Sequence, residues 1–275
     1  MTTATTAHEI RRVGPRIGAE VIGVDLTRPV DEKTADALRE AFEEHKVLVF
    51  RNQHLTPDQH VEAVRIFAEP FDHPTAVKDA ANPLVYPYNV RQTGKASQWH
   101  IGGLWRSPVF AIESLTYEEV PELGGHTLWA DLQAAYDDLS ESFKVLLASV
   151  SAAYDADPQN YAQGKRRTAV GETVEHPVVL EHPVTGRKGL FISTSALRLT
   201  GVTPDEGKVL LDHLLRHASS PDYTIRFGWD PGDFVLWDNQ ATWHYAVDDY
   251  GDGARVYRKV IGVERPQAEA ASSSA

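Results

Sequence analysis

The sequence predicts a mainly β domain, a sandwich or barrel with a few helices packed on it, and three observations predict this. From residue 109 onward, short runs rich in β-branched and aromatic residues recur: VFAIESLTYEEV, HTLWADL, HPVVLEH, GLFIS, YTIRFGW, DFVLWDN, ATWHYAV and RVYRKVIGVE. They are separated by Gly, Pro, Asp or Asn, as strands of a sandwich or barrel are. Helical signals, by contrast, are few and sharply bounded. Finally, a chain of 275 residues that is 42% hydrophobic and 24% charged has enough apolar material for one well-buried domain.

Taken in order, RIGAEVIGVDL (16–26) reads as a strand pair around a glycine turn. DEKTADALREAFEEH (31–45) is an amphipathic helix that puts Ala35, Leu38 and Phe42 on one face. VLVFR (47–51) follows as a short buried strand. Thr56-Pro57-Asp58-Gln59 and Thr203-Pro204-Asp205-Glu206 repeat one helix-start signal, with threonine as N-cap, proline first in the helix and Gln or Glu at the third position. Between 72 and 98, three prolines and little periodicity predict a long irregular segment, the kind that serves as a lid or binding loop. Residues 1–267 are read as one domain and the tail 268–275 as disordered.

Composition excludes several classes of function. There is no cysteine, so disulfides, thiolate metal sites and a cysteine nucleophile are ruled out, and any metal must be held by nitrogen and oxygen. A net charge of −12 argues against a nucleic-acid polymer or an anionic membrane as partner, since both need a broad basic surface. A small anionic substrate remains compatible with a local cluster of basic groups. No apolar run is long enough to span a membrane, and MTTATTAHEIRR lacks the apolar core of a signal peptide, so the expectation is a cytoplasmic protein. Self-association into a homo-oligomer is compatible with the sequence. Neither GxGxxG nor a P-loop is present.

Twelve histidines make histidine the residue to watch. His213 and His217 lie four apart on a predicted helix, but DHLLRH supplies no third ligand and reads more readily as a solvated face. His8, His45, His54, His60, His176 and His182 carry no local constellation. His100 in SQWHIGG and His244 in ATWHYAV each sit in an aromatic, strand-like setting, where a hydrogen-bonded core histidine and a metal ligand are both open.

The surroundings of these two decide the reading. GAEVIGVDL, HKVLVFRNQHLTPDQHVEAVRIFAEPF, WADLQAAYDDLS and WDNQATWHYAVDDYGDGARVYRKV together resemble the taurine dioxygenase family of non-haem iron(II), α-ketoglutarate-dependent oxygenases over nearly the whole chain. The resemblance implies a double-stranded β-helix, a jelly roll of the cupin kind. It implies Fe(II), α-ketoglutarate and O2 as metal, co-substrate and oxidant. His100 and His244 match the metal-ligating histidines, and Thr127, in Gly124-Gly125-His126-Thr127-Leu128-Trp129, matches a residue that touches the co-substrate. Arg255, eleven residues after His244, matches the arginine that binds the distal carboxylate of α-ketoglutarate. The chemistry is coherent: two imidazoles and a carboxylate on one face leave the opposite positions for a 2-oxo acid and dioxygen, and a guanidinium forks onto the second carboxylate.

Where the family has W-H-x-D, this chain has Trp99-His100-Ile101-Gly102, so glycine replaces the carboxylate ligand. Such an H-x-G segment resembles that of the iron and α-ketoglutarate halogenases, in which chloride takes the position left open. The expectation is therefore a halogenase with Gly102 as the chloride position. Two alternatives compete: a hydroxylase in which water or another carboxylate, Glu113 or Glu118, replaces the missing ligand, and a noncatalytic binding protein on the same fold.

For the substrate, the resemblance points to His73 in His73-Pro74-Thr75-Ala76, and to Lys259 or Arg258 as the group meeting a substrate anion. Among halogenases the likeness is to those of the 2′-chloropentostatin type pathway, which implies C2′ of 2′-deoxyadenosine 5′-monophosphate as a candidate site of attack. Tyr86, Tyr88, Trp105 and Trp243 are available as an aromatic face for a purine, though core packing is the commoner role of each. Lys165, Arg166 and Arg167 in YAQGKRRTAVGE (161–172) read more readily as a solvated cluster than as a phosphate clamp.

Overall fold

The helix starts form as the local chemistry dictates. Asp31, Thr56 and Thr203 each accept a backbone N–H of the first turn on a side-chain oxygen, and Gln59 and Glu206 return the bond to complete two capping boxes. The computed structural model describes residues 8–93, 96–158 and 171–263. The basic loop around Lys165–Arg167 and the tail 268–275 thus lie outside the described residues. In chain order the helices are α1 (Glu32–His45), α2 (Pro57–Arg65), α3 (Val90–Thr93), α4 (Leu132–Asp137), α5 (Glu141–Leu147) and α6 (Pro204–Ala218).

Strands dominate the rest. One sheet of seven runs β1 (Glu9–Arg12), β2 (Ala19–Ile22), β3 (Val47–Phe50), β13 (Phe234–Asp238), β5 (Ile112–Glu119), β15 (Val256–Gly262) and β4 (Tyr86–Asn89), in that spatial order. Its pairs are antiparallel except β2 with β3. A three-stranded sheet sets β6 (Thr127–Asp131) between β12 (Thr224–Phe227) and β14 (Thr242–Ala246). A second sets β7 (Ser151–Asp155) between β8 (Thr173–Pro177) and β11 (Arg198–Thr200), and β9 (Val179–Glu181) pairs with β10 (Lys188–Leu190).

The period of two along β3 and β13 explains how the layers assemble. Val47, Val49, Val235 and Trp237 point inward and pack with Leu115, Tyr117, Trp129, Ile225, Phe227 and Trp229, which joins the large sheet to the β12-β6-β14 sheet. Leu48, Phe50, Phe234 and Leu236 point the other way and are covered by Leu38 and Phe42 of α1 and Val61 and Val64 of α2. The molecule is a mainly β jelly roll with helices on one outer face. Lys46, which ends α1 in a left-handed conformation (φ 61), sends its ammonium 3.0 Å to Asp131, and both side chains are buried. Asp131 meanwhile caps α4, so this pair fixes the end of β6 relative to the helical layer.

Two expectations about elements are corrected. The first hairpin is β1 with β2, from Glu9 to Ile22, because the strand partner of AEVI lies before RIGAEV rather than after it. The segment 72–98 is not irregular throughout: β4 and α3 lie within it, and β4 adds itself to the edge of the large sheet by pairing with β15. Its single apolar face, YPYN, is too short for periodicity to register.

Candidate metal and co-substrate site

His244 lies on β14 opposite Trp129 of β6. His100 belongs to no strand, yet it exchanges both backbone hydrogen bonds with His244, each 3.1 Å. Residues paired in this way project side chains from the same face, and the two imidazole centroids are 3.9 Å apart. The Nδ1 of His100 donates to the carbonyl of Gln98 at 2.8 Å, which leaves Nε2 with its lone pair toward the site. Burial holds both imidazoles below the ordinary histidine range, most strongly at His244, where His100 adds to the effect. Neutral imidazole is the metal-binding form.

Facing residues along β6 and β14 continue the same surface. Thr127 lies opposite Ala246, two residues from the Trp129 and His244 pair, or roughly 7 Å along the strand. Its hydroxyl accepts from Trp229 Nε1 at 3.1 Å and from Arg255 Nη2 at 3.2 Å. The same Nη2 donates to Tyr117 at 3.0 Å. Arg255 is only 3% exposed, its Nη2 bonds are to neutral hydroxyls, and its Nε has no hydrogen-bond partner. A buried guanidinium held this way is poised for an anion.

The position of Gly102 is the departure from expectation. A Cβ built on Gly102 would meet the carboxylate of Glu113, lying 2.6 Å from its Cδ and 2.9 Å from Oε2. The space expected to stay open for chloride is filled by an anionic side chain from β5. Glu113 is 1% exposed, and neither oxygen accepts a well-directed hydrogen bond. Its Oε1 pairs with the ammonium of Lys259 at 2.6 Å, and its Oε2 stands 3.5 Å from His244 Nε2. Among the described residues, no three His, Asp or Glu side chains are drawn together tightly enough to hold a metal on their own. The arrangement is two imidazoles with a carboxylate beside one of them.

Asn239 fixes this geometry. Its side-chain oxygen accepts from Gly102 N at 2.9 Å, and its amide donates to Gly102 O at 2.8 Å and Phe110 O at 3.1 Å. The loop after His100 is thereby stitched to the start of β5, which carries Glu113. Asn239, Tyr117 and Trp229 were not singled out from sequence.

The expected substrate residues separate. His73 accepts from the backbone N–H of Ala76 at 3.2 Å on Nδ1, so its proton sits on Nε2 as a donor. Its ring lies 5.4 Å from that of Trp105. Lys259 is on the inner face of β15, but it is engaged with Glu113. Arg258 does not join the site: alternation turns it to the other face, where it bonds Leu55 O and Glu118 at 2.7 Å each. Glu118 is correspondingly on that far side. Of the proposed aromatic face, Trp243 is fully buried and bonds Ile192 O, Tyr86 is tied to Phe71 O, and Tyr88 stacks on Tyr257 at 5.3 Å. Only Trp105 borders His73. His217 bonds Ala135 O at 2.7 Å and His213 packs on Phe143, so the pair on α6 serves the helix packing.

The family model described as "Taurine catabolism dioxygenase TauD, TfdA family" matches residues 9–262. The chain is 34% identical over 269 residues to the alkylsulfatase of Acinetobacter baylyi, covering 93% of this chain and 85% of that protein. It is 32% identical over 275 residues to the α-ketoglutarate-dependent sulfate ester dioxygenase of Pseudomonas putida, covering 94% and 91%. Among solved structures it is similar to a taurine dioxygenase from Burkholderia xenovorans, with a TM-score of 0.82, 32% identity and coverage of 94% and 89%.

Proposed function

The chain belongs to the taurine catabolism dioxygenase TauD, TfdA family, and from that premise we propose that it is an Fe(II)- and α-ketoglutarate-dependent oxygenase that oxidises a C–H bond of a small anionic substrate. The observation that carries this reading is Arg255, a buried guanidinium with neutral partners on the inner surface that also bears His100 and His244. The residues suit the metal and co-substrate: two neutral imidazoles are adjacent, and the arginine lies near Thr127, about two strand residues farther along. Bound iron(II) supplies positions where the 2-oxo acid and dioxygen meet.

The chain's own residues do the rest. Arg255 and Thr127 hold the C5 carboxylate of α-ketoglutarate, and Tyr117 orients the guanidinium. His73 offers an Nε2 proton to the substrate beside Trp105. The surrounding tryptophans and phenylalanines exclude water. Overall, one oxygen atom of O2 enters succinate as α-ketoglutarate loses CO2, and the other enters the substrate.

Oxygenation is favoured over chlorination because Glu113 lies against Gly102, and a halide placed there would face a carboxylate in a buried setting, where like charges repel strongly. The names of the relatives point to sulfate esters first, and 2′-deoxyadenosine 5′-monophosphate is the nucleotide candidate. The test is succinate release from α-ketoglutarate under O2 with alkyl sulfate esters, alkanesulfonates and that nucleotide, with and without chloride, followed by product mass. Substrate-dependent succinate with a gain of oxygen is expected. A product that gains chlorine in place of oxygen would restore the halogenase reading, and a wild-type protein that binds neither Fe(II) nor α-ketoglutarate would leave only a binding role.

A further inference from the structure

Glu113 presents a problem that the fold alone does not explain. Taking a carboxylate out of water costs several kcal/mol, and such groups persist when paired and hydrogen-bonded or when they bind a cation. Here the side chain is 1% exposed, has one ion pair and no well-directed hydrogen bond. It sits on the inward side of β5, in line with Leu115 and Tyr117, at a place where an apolar residue would pack without penalty.

Its location is informative in two further ways. The carboxylate lies where a side chain on residue 102 would project. It also stands 3.5 Å from Nε2 of His244. Two ligands at about 2.1 Å from one metal and at right angles are about 3.0 Å apart, so a shift of roughly half an ångström brings this pair to ligand spacing.

We propose that Glu113 is the third protein ligand of the metal, a carboxylate supplied by β5 in place of the one that the loop after His100 no longer carries. This rests on the oxygenase reading given above. The metal ligands are then His100, His244 and Glu113, with Asn239 holding the loop and β5 in register. Lys259 is the counter-ion of Glu113, and when a metal cation takes over that charge its ammonium is released toward the substrate space. That gives Lys259 the anion-binding role read from sequence, but only in the metal-loaded protein.

Gly102 permits a decisive exchange. Unlike Gly103 (φ +75), it does not have a positive φ, so a side chain at 102 is obstructed by Glu113 rather than by the backbone. The experiment compares the wild type, Glu113→Ala and the double variant Gly102→Asp/Glu113→Ala. Mn(II) binding with α-ketoglutarate is followed anaerobically by electron paramagnetic resonance and by the metal-induced rise in Tm, with circular dichroism checking the fold. Because partners one shell farther out already cost 10- to 100-fold in metal affinity, Glu113→Ala is expected to weaken Mn(II) by at least about 100-fold. The double variant should recover to within about tenfold of the wild type, since the carboxylate has only moved from strand to loop; a purely structural glutamate would not be rescued in this way. A folded Glu113→Ala protein that binds Mn(II) within about threefold of the wild type overturns the assignment. Should the wild type itself bind no Mn(II), the oxygenase reading falls and this one with it.

Discussion

Replacement of Arg255 by methionine separates binding from folding. Before α-ketoglutarate binds, the guanidinium makes two hydrogen bonds through Nη2, 3.0 Å to Tyr117 and 3.2 Å to Thr127. Bonds from a charged donor are worth roughly 1.5–3 kcal/mol each. Against this stands the cost of keeping a guanidinium out of water, also several kcal/mol. The two terms offset, and Tyr117 and Thr127 remain 3.4 Å from each other, so their hydroxyls retain a partner. The Tm of Arg255→Met should therefore stay within roughly 5 °C of the wild type, since about 1 kcal/mol moves Tm by 2–4 °C in a chain of this size class. Co-substrate affinity should collapse. Truncating one partner of a buried charge pair costs about 2–5 kcal/mol, or roughly 30- to 5,000-fold in Kd. Anaerobic Fe(II) and α-ketoglutarate titration, read by the visible charge-transfer band, measures the second quantity, and calorimetry the first. An α-ketoglutarate Kd within threefold of the wild type would refute the anchor role. A fall in Tm beyond about 10 °C would show instead that the guanidinium is there for the fold.

Three further outcomes follow from the same structure. His60 is buried between Ser114 (2.9 Å) and Thr116 (3.1 Å), and burial, with Arg258 nearby, pushes its imidazole down to about 3. The unfolded chain protonates this group near 6.5 and the folded one does not, so stability present above that value is lost as pH falls toward 3, by about 2 kcal/mol at pH 5; urea melts of His60→Gln should show that much less acid sensitivity. Lys46→Met strands the carboxylate of Asp131 in the core and should cost about 3–5 kcal/mol in denaturant unfolding, whereas a loss below about 1 kcal/mol would mean that water reaches Asp131. Asn239→Ala leaves the N–H and C=O of Gly102 and the C=O of Phe110 without a partner, which predicts a loss of about 2–4 kcal/mol, accompanied by weaker Mn(II) binding if Asn239 sets the relation between the loop and β5.

What could be read along the chain was what local chemistry determines. Thr56 and Thr203 announce their helices because cap, proline and capping-box partner all lie within four residues. His100, Thr127, His244 and Arg255 were found because they fall in segments whose spacing is constrained by two adjacent strands. The choice between Arg258 and Lys259 was also legible in principle: on a strand, Lys259 shares the parity of Arg255 and Tyr257, and Arg258 does not. The parity of Glu113 carried no such message. β5 is buried on both faces, by the second sheet on one and by α2 on the other, so His60 and Ser114 lie as deep as Leu115 and Tyr117, and alternation does not mark which side holds the site.

The meaning of Gly102 depends on this long-range relation. In the linear pattern a glycine after His100 is a loss, and a lost carboxylate next to two imidazoles suggests a place for a halide. In space, the glycine is what allows Glu113 to approach: even one methyl group at 102 would lie against its carboxyl carbon. Glycine at 102 and glutamate at 113 are thus one feature distributed over two segments, joined by Asn239, which is 137 residues from Gly102 in the chain. Charge makes the same point. A site of two neutral imidazoles and a carboxylate carries the net charge of the family's usual ligand set, and a divalent metal there needs no added halide to balance it. If Glu113 were instead only the partner of Lys259, the pair would neutralise itself and the metal would be left with the two imidazoles alone. Metal affinity, rather than product identity, is therefore the quantity that distinguishes the two arrangements.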